Sequence, residues 1–306
     1  MKTNSYLFII NPAAGNWRGL KVVDKIKKYL ARKKISHHIE VSQFPGHIRE
    51  LVKTLSKNFT HLISVGGDGT LNELINGLDV NSFNTIGLLP IGTGNDFARN
   101  LNLYKNLYSD LDVIFNSKKH YSFDIGQSII LEEKSNEKKY YRFINSLGIG
   151  FDALVAKINQ RSKHLNGLFS YLYAISLALI KRKDFIADIT VDNTQYISGK
   201  KLLITIGNGF TTGGGFYLTP DAIINDNKLD LCLIDSISTL KLLRSLPKAL
   251  FNKLHTVKEA HLLKFIEARV QMKDSVIVHA DGEIVTESAK SVEITILKNE
   301  LKIISN

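Results

Sequence analysis

The residues best suited to chemistry lie in Ser64-Val65-Gly66-Gly67-Asp68-Gly69-Thr70-Leu71-Asn72-Glu73, a turn between a short apolar run and a helical pattern. Three glycines within four positions let a backbone bend sharply and approach a ligand closely. The helix behind them offers unpaired N–H groups and the positive end of its dipole, an arrangement suited to phosphate. Thr70 adds a hydroxyl donor. Asp68 would repel a phosphate in direct contact, so it is useful there only across a hydrated Mg2+; taken alone it is also an ordinary helix N-cap. A second turn, Pro90-Ile91-Gly92-Thr93-Gly94-Asn95-Asp96-Phe97-Ala98, repeats the pattern and brings another carboxylate, Asp96, with the same N-cap alternative. Asn11-Pro12-Ala13-Ala14-Gly15 is a third turn, after the apolar run Tyr6–Ile10.

Far along the chain stands His279-Ala280-Asp281-Gly282-Glu283. In an extended segment its carboxylates at i and i+2 point the same way, one able to accept a proton while the other holds metal-bound water. Asp-Gly is equally a strong hairpin turn. Thr219–Asp230 carries several oxygen donors fit for a hard cation or for solvent. Thr211-Thr212-Gly213-Gly214-Gly215 lacks a following helix and has no nucleotide role. Cys232, the sole cysteine, sits in Leu-Asp-Leu-Cys-Leu-Ile and reads as a buried strand residue; a disulfide within the chain is excluded. P-loop, protein-kinase, serine-hydrolase and zinc-protease signatures are absent.

The elements that must position these turns alternate over the first 120 residues. Strands are expected at Tyr6–Ile10, Ile35–Ser42, His61–Val65 and Ile86–Leu89, with helices at Leu20–Lys33, Ile48–Leu55, Thr70–Leu78 and from Phe97. That βαβα order predicts a mostly parallel sheet with helices on both faces, whose strand ends share one ligand-binding edge. From about residue 124 the pattern turns to short β runs, interrupted by helices near Leu168–Lys181 and Thr239–Asn252. Two domains are therefore expected, 1–123 and 124–306.

Composition narrows the partners. Lys and Arg number 40 against 29 Asp and Glu, a net +11 that favours anionic partners. Basic residues cluster at Lys21–Lys34 and Lys181-Arg182-Lys183. A single Trp and scattered charge give no aromatic-plus-basic module, so nucleic acid is not an expected partner. The start shows no signal-peptide run, and Leu165–Ile180 falls short of a membrane span. These features predict a soluble, cytoplasmic protein.

Together the motifs resemble the bacterial diacylglycerol kinase and YegS-like lipid kinase family, in the family's order and over essentially the whole chain. The elements are Asn11–Gly15, Pro45-Gly46-His47, Gly66–Glu73, Gly92–Ala98, Gly148–Asp152, Gly213–Gly215, Pro220–Asp230 and Asp281–Glu283. The resemblance implies an N-terminal α/β domain like that of NAD kinases and phosphofructokinases, then a C-terminal β-sandwich, with the active site in the cleft between them. It implies transfer of the γ-phosphoryl of ATP to a lipid hydroxyl, diacylglycerol giving phosphatidic acid. Phosphatidylglycerol, a sphingoid base or a long-chain alcohol are alternative acceptors, and an NAD-kinase-like soluble substrate a further one. Asp281 matches the family's general base. Glu283, Asp68 and Asp96 match the set that holds Mg2+ and its waters. Asn11, Pro12, Ala13, Ala14, Gly15, Ser42, Gly66, Gly67, Asp68, Gly69, Thr70, Leu71, Asn72, Thr93 and Glu283 match nucleotide contacts. Asp226, with the backbone of Ile223 and Lys228, matches a structural Mg2+ site, where Asn227 replaces the usual Gly. The resemblance also implies transient contact with the anionic inner face of a membrane and allows a homodimer. Leu165–Ile180 is then either an acyl-chain groove, a bilayer contact or a core helix.

Overall fold

A computed structural model of the chain describes residues 4–79, 82–101, 103, 106–117, 119–133, 135–161 and 167–305. Met1–Thr3 of the expected start, Leu165 and Asn166 of the apolar stretch, and Asn306 lie outside the described residues. The chain divides into two units, 1–123 with 299–306, and 124–298. The expected second domain ran to the C-terminus. The structure instead returns the last residues to the first unit, because Lys302 and Ile303 pair in parallel with Thr85 and Ile86.

The first unit is built from β1 (Tyr6–Ile10), α1 (Ala14–Lys33), β2 (His37–Val41), α2 (His47–Leu55), β3 (His61–Gly66), α3 (Asp68–Gly77), β4 (Thr85–Pro90), α4 (Asp96–Asn100) and α5 (Leu107–Asn116). Its strands run parallel in the order β2-β1-β3-β4, with the C-terminal residues beside β4. β1 and β3 are buried nearly throughout, as strands covered on both faces must be. Ile26, Tyr29 and Leu30 of α1 pack on Phe8, Ile10 and Val65, while the Lys21–Lys34 charges stay on the exposed face of the helix. Gly15, Asn16 and Trp17 are left-handed, so regular α1 geometry begins only after them.

The second unit contains β5 (His120–Glu132, which carries the chain across the 123/124 boundary), β6 (Lys138–Phe143), β7 (Ser146–Gly150), α6 (Phe151–Arg161), α7 (Gly167–Lys181), β8 (Phe185–Val191), β9 (Gln195–Gly207), β10 (Leu229–Asp235), α8 (Thr239–Leu250), β11 (Ala260–Phe265), β12 (Glu267–Ala280) and β13 (Glu283–Ile304, whose last residues, from 299, belong to the first unit). Its strand pairs are antiparallel, and the long strands β9 and β12 each pair with β7 near one end and β8 near the other. β10 is buried on both faces. Leu229, Leu231 and Leu233 enter one core with Ile204, Val270 and Val278. Cys232 and Ile234 enter another, under α6, α7 and α8. Burial pushes the Cys232 thiol far up, so it behaves as a small apolar residue. The α6 helix was not expected; its residues read first as a glycine motif.

Gly126 and Phe143 are cross-strand partners of β5 and β6, and a Cβ on Gly126 would lie 2.0 Å from Phe143 Cζ. Gly126→Ala should therefore lower unfolding free energy by about 1–3 kcal/mol, measured by urea titration. Phe143→Leu in the same chain should relieve the clash, so the two changes together should cost less than their sum.

Candidate active site

In the first unit three loops meet at the C-terminal ends of β1, β3 and β4. The order β2-β1-β3-β4 makes the gap between β1 and β3 a topological switch point, where α/β sheets bind ligands. Asn11 closes β1: its N–H donates to Val65 O (3.0 Å), its Nδ2 to Thr70 Oγ1 (3.2 Å), and its Oδ1 accepts from Ala13 N–H (3.1 Å). Pro12, Ala13, Ala14 and Gly15 continue this loop. Ser42 donates its N–H to Ile10 O (2.9 Å) and is buried at the end of β2.

Gly66, Gly67, Asp68, Gly69 and Thr70 turn from β3 into α3, where Leu71 and Asn72 are buried. Their neighbour is the Gly92 turn. A Cβ on Gly92 would lie 2.4 Å from Gly67 Cα, so only two bare backbones pass each other here. Arg18 ties the first loop to the third, with Nε donating to Gly15 O (2.9 Å) and Nη2 to Gly92 O (3.1 Å). Thr93 is exposed at the tip of its turn. Gly66, Gly67, Asp68, Leu71, Pro90 and Asn95 border a small pocket at this edge. Sequence reasoning did not single out Arg18, because nothing local shows that an arginine on α1 reaches the turn after β4.

Asp68 does not cap the helix it opens. Its Oδ2 accepts from Asp96 N–H (3.0 Å) and its Oδ1 from Phe97 N–H (3.0 Å), so it caps the neighbouring α4. Burial pushes its carboxyl up; the N–H groups of Phe97, Asp96 and its own backbone, with Arg99, only partly offset that. Asp96 is buried, and Arg99 Nε lies 3.7 Å from its Oδ1. Among the described residues no group of three or more His, Cys, Asp or Glu side chains could hold a metal ion. Both Asp68 oxygens are engaged by backbone N–H groups, so Asp68 and Asp96 do not by themselves form a cation site.

In the second unit Asp281 and Gly282 form the two-residue turn between β12 and β13, both with positive φ (48° and 86°), a type I′ hairpin. This corrects the extended reading, in which Asp281 and Glu283 point the same way. Asp281 is buried, its Oδ2 accepting from Ile144 N–H (2.9 Å) and its Oδ1 from Asn145 (2.8 Å) and Ser146 (2.9 Å) N–H. Its own N–H donates to Ser146 O (2.7 Å). Glu283 is exposed, with Oε2 accepting from Gln160 Nε2 (2.9 Å). Asp281→Asn would set an amide N–H₂ against a backbone N–H and so destabilise this turn.

Behind the turn lies a buried pair that the sequence did not reveal. His279 Nε2 is 3.2 Å from Asp152 Oδ2, with exposures of 1% and 2%. Gly282 N–H donates to His279 Nδ1 (3.2 Å), which leaves the ring proton on Nε2 facing Asp152. Thr205 Oγ1 (2.8 Å) and Tyr171 OH (3.3 Å) also donate to Asp152. Burial alone would raise the Asp152 carboxyl, but His279, Thr205 and Tyr171 outweigh it and hold it below the usual carboxylate range.

The Thr219–Asp230 turn places Asp226 between two donors. Its Oδ1 accepts from Lys228 N–H (3.1 Å) and its Oδ2 from Lys264 Nζ (3.0 Å). Asp226 N–H faces Ile223 O (3.4 Å), and Asn227 has a φ of 62°, the left-handed geometry that Asn tolerates.

Three outcomes follow from this geometry. A carboxyl with a depressed folded pKa stabilises fully above its unfolded value, about 4, and loses that contribution as pH falls through the folded value. Thermal melts of the wild type should thus show Tm falling below about pH 4, and Asp152→Asn should start lower and fall less steeply. His279→Ala should cost about 3–5 kcal/mol at neutral pH, since it strands a buried charge. Gly92→Ala should force the first-unit loops apart and lower unfolding free energy by about 1–3 kcal/mol, measured by urea titration.

Residues 5–128 match the family model described as the diacylglycerol kinase catalytic domain, and residues 145–305 match the YegS C-terminal NAD kinase beta sandwich-like domain. A Bacillus subtilis protein named "Putative lipid kinase YtlR" is 30% identical over 301 residues, covering 91% of this chain and 93% of its own length. A Mycobacterium tuberculosis diacylglycerol kinase is 27% identical over 201 residues, 64% of this chain and 62% of its own. A diacylglycerol kinase structure from Bacillus anthracis superposes with a TM-score of 0.74 at 22% identity, covering 100% of this chain and 98% of that one. An NAD kinase structure from Archaeoglobus fulgidus superposes with a TM-score of 0.54 at 14% identity, covering 99% and 94%. These superpositions establish the fold, an NAD-kinase-like α/β unit joined to a β-sandwich-like unit. With one family model on each unit and a relative matched along nearly its full length, the chain belongs to the diacylglycerol kinase and YegS-like lipid kinase family.

Proposed function

We propose that the protein transfers the γ-phosphoryl group of ATP to a lipid hydroxyl, with diacylglycerol as acceptor and phosphatidic acid as product. The observation that carries this reading is the backbone-lined edge of the first unit, where Gly67 passes Gly92 too closely for any side chain. Such an edge offers N–H groups to phosphates without side-chain bulk. In this reading Asn11–Gly15, Ser42, Gly66–Asn72 and Thr93 bind the nucleotide, and Asp68 and Asp96 orient water around Mg2+. The ion, when bound with ATP, supplies positive charge to the phosphates. Asp281, fixed by three N–H groups, accepts the proton of the attacking hydroxyl; Glu283 assists at the same turn.

A lipid acceptor is supported by an apolar pocket within the second unit. Phe151, Val155, Ile175, Leu203, Phe216 and Leu246 are among its walls, with Asp152 at one side. The lining is almost wholly apolar, which suits an acyl chain better than a soluble sugar or nucleotide.

Contact with an anionic membrane is supported by the outer faces of two helices. Phe169, Tyr173 and Ile180 are exposed on α7, and Leu240, Leu243 and Phe251 on and just after α8, all at helical spacing. Residues 167–183 and 236–258 contain no acidic residue between them but carry Lys181, Arg182, Lys183, Lys241, Arg244, Lys248, Lys253 and Lys258. Apolar side chains flanked by cations fit an anionic lipid surface. Among the described residues no helix is long and apolar enough to cross a membrane. The reading places the protein in the cytoplasm, at the inner face of the membrane.

The test is transfer of labelled γ-phosphate from ATP and Mg2+ to diacylglycerol in mixed micelles, beside phosphatidylglycerol, a sphingoid base and NAD. Labelled phosphatidic acid is the expected product. Asp281→Asn, assayed well below its lowered Tm, should lose at least about 100-fold in rate. Label on NAD alone would overturn the lipid reading. In sedimentation with phosphatidylglycerol vesicles, Leu243→Ser with Phe251→Ser should bind at least about tenfold more weakly than the wild type.

A further inference from the structure

The family resemblance implies a structural divalent cation at Asp226, and the residues here do not fit one. Lys264 Nζ already engages the carboxylate that would ligate it, lying 3.0 Å from Asp226 Oδ2, 2.9 Å from Asp230 Oδ2 and 2.9 Å from Asp221 O. An ammonium has three donors, and all three are used. The spacings are those of hydrogen bonds, well beyond the 2.0–2.6 Å that Mg2+ and Ca2+ require.

Backbone register puts the lysine there. Lys264 of β11 is the antiparallel cross-strand partner of Asp230 of β10, so its stem starts beside one carboxylate and reaches the other. Two backbone donors of the turn are held by carboxylates of the chain itself. Asn227 N–H donates to Asp124 Oδ2 (2.8 Å), and Lys228 N–H to Asp226 Oδ1 (3.1 Å).

We propose that the Lys264 ammonium is the resident cation of the Asp221–Asp230 turn and takes the place of a divalent ion. Removing it converts the turn into an acidic site able to take one: Asp226, Asp230 and the Asp221 carbonyl are hard oxygen donors already gathered. This inference concerns the stability of the second unit and is independent of the proposed reaction.

The experiment is thermal unfolding of the full chain without nucleotide, in EDTA and then with millimolar MgCl2 or CaCl2, for the wild type, Lys264→Gln and Lys264→Gln with Asp226→Asn. The wild-type Tm is expected to be the same in all three solutions. Lys264→Gln is expected to melt several degrees lower in EDTA and to recover at least half of the loss with a divalent ion. The double variant is expected to show no recovery. A wild-type Tm that falls in EDTA would overturn the proposal. So would a Lys264→Gln variant that ignores both ions, or one whose response survives Asp226→Asn. Should Lys264→Gln fail to fold, equilibrium dialysis of the wild type against Mn2+ decides: saturable binding lost in Asp226→Asn overturns the proposal, and its absence upholds it.

Discussion

The first unit depends on one steric constraint, the passage of the Gly67 backbone against that of Gly92 at the ends of β3 and β4. Parallel pairing sets these strands side by side, from His61 with Thr85 to Gly66 with Pro90. Both chains then turn at the same height, and any Cβ would force them apart. Asp68 reinforces the approach by accepting the first N–H groups of α4, and Arg18 pins the β1 loop to the same turn. A surface made of backbone follows, and with it an edge suited to phosphate rather than to bulky apolar groups.

The second unit solves a different problem, that of keeping carboxylates inside a dry β structure. Burying a charge is costly unless it is paired and hydrogen-bonded. Asp281 is satisfied by three backbone N–H groups, Asp152 by His279, Thr205 and Tyr171, and Asp226 with Asp230 by Lys264. The first two are linked through His279, which holds Gly282 N–H with one nitrogen and faces Asp152 with the other. Asp152 in turn borders the apolar pocket. The hairpin turn that carries Asp281 is thus continuous, through two side chains, with the wall of that pocket.

Helices α6, α7 and α8 make this possible. They cover Cys232, Ile234 and Leu203 on one side of the strands. Without that layer β10 would expose half of an apolar run, and the pocket would have no outer wall. The same helices turn apolar side chains outward, including Phe169, Ile180 and Phe251. Exposed apolar side chains on a helix whose inner face is buried are the feature on which the proposed lipid contact rests.

The sequence by itself determined the local parts. Alternation of apolar runs and helical spacing located β1, β3, β4, α1, α3 and α8 to within a few residues, because those patterns follow from the periods of strand and helix. Glycine turns were legible, since few other residues permit such bends, and the ordered set of motifs was enough to suggest the family. Pairings across the chain were not legible. Asp68 caps a helix 28 residues on, Arg18 reaches Gly92, His279 meets Asp152, and Lys264 occupies the Asp226 turn only because β11 pairs with β10 in one register. The extended reading of Asp281 and Glu283 failed for a related reason: Asp-Gly between paired strands folds into a tight hairpin, and the partner of the buried carboxylate is a loop more than a hundred residues away. Local spacing carries steric and periodic information, whereas charge compensation is settled by whichever donor the tertiary structure delivers within about 3 Å, and only the folded chain decides which donor that is.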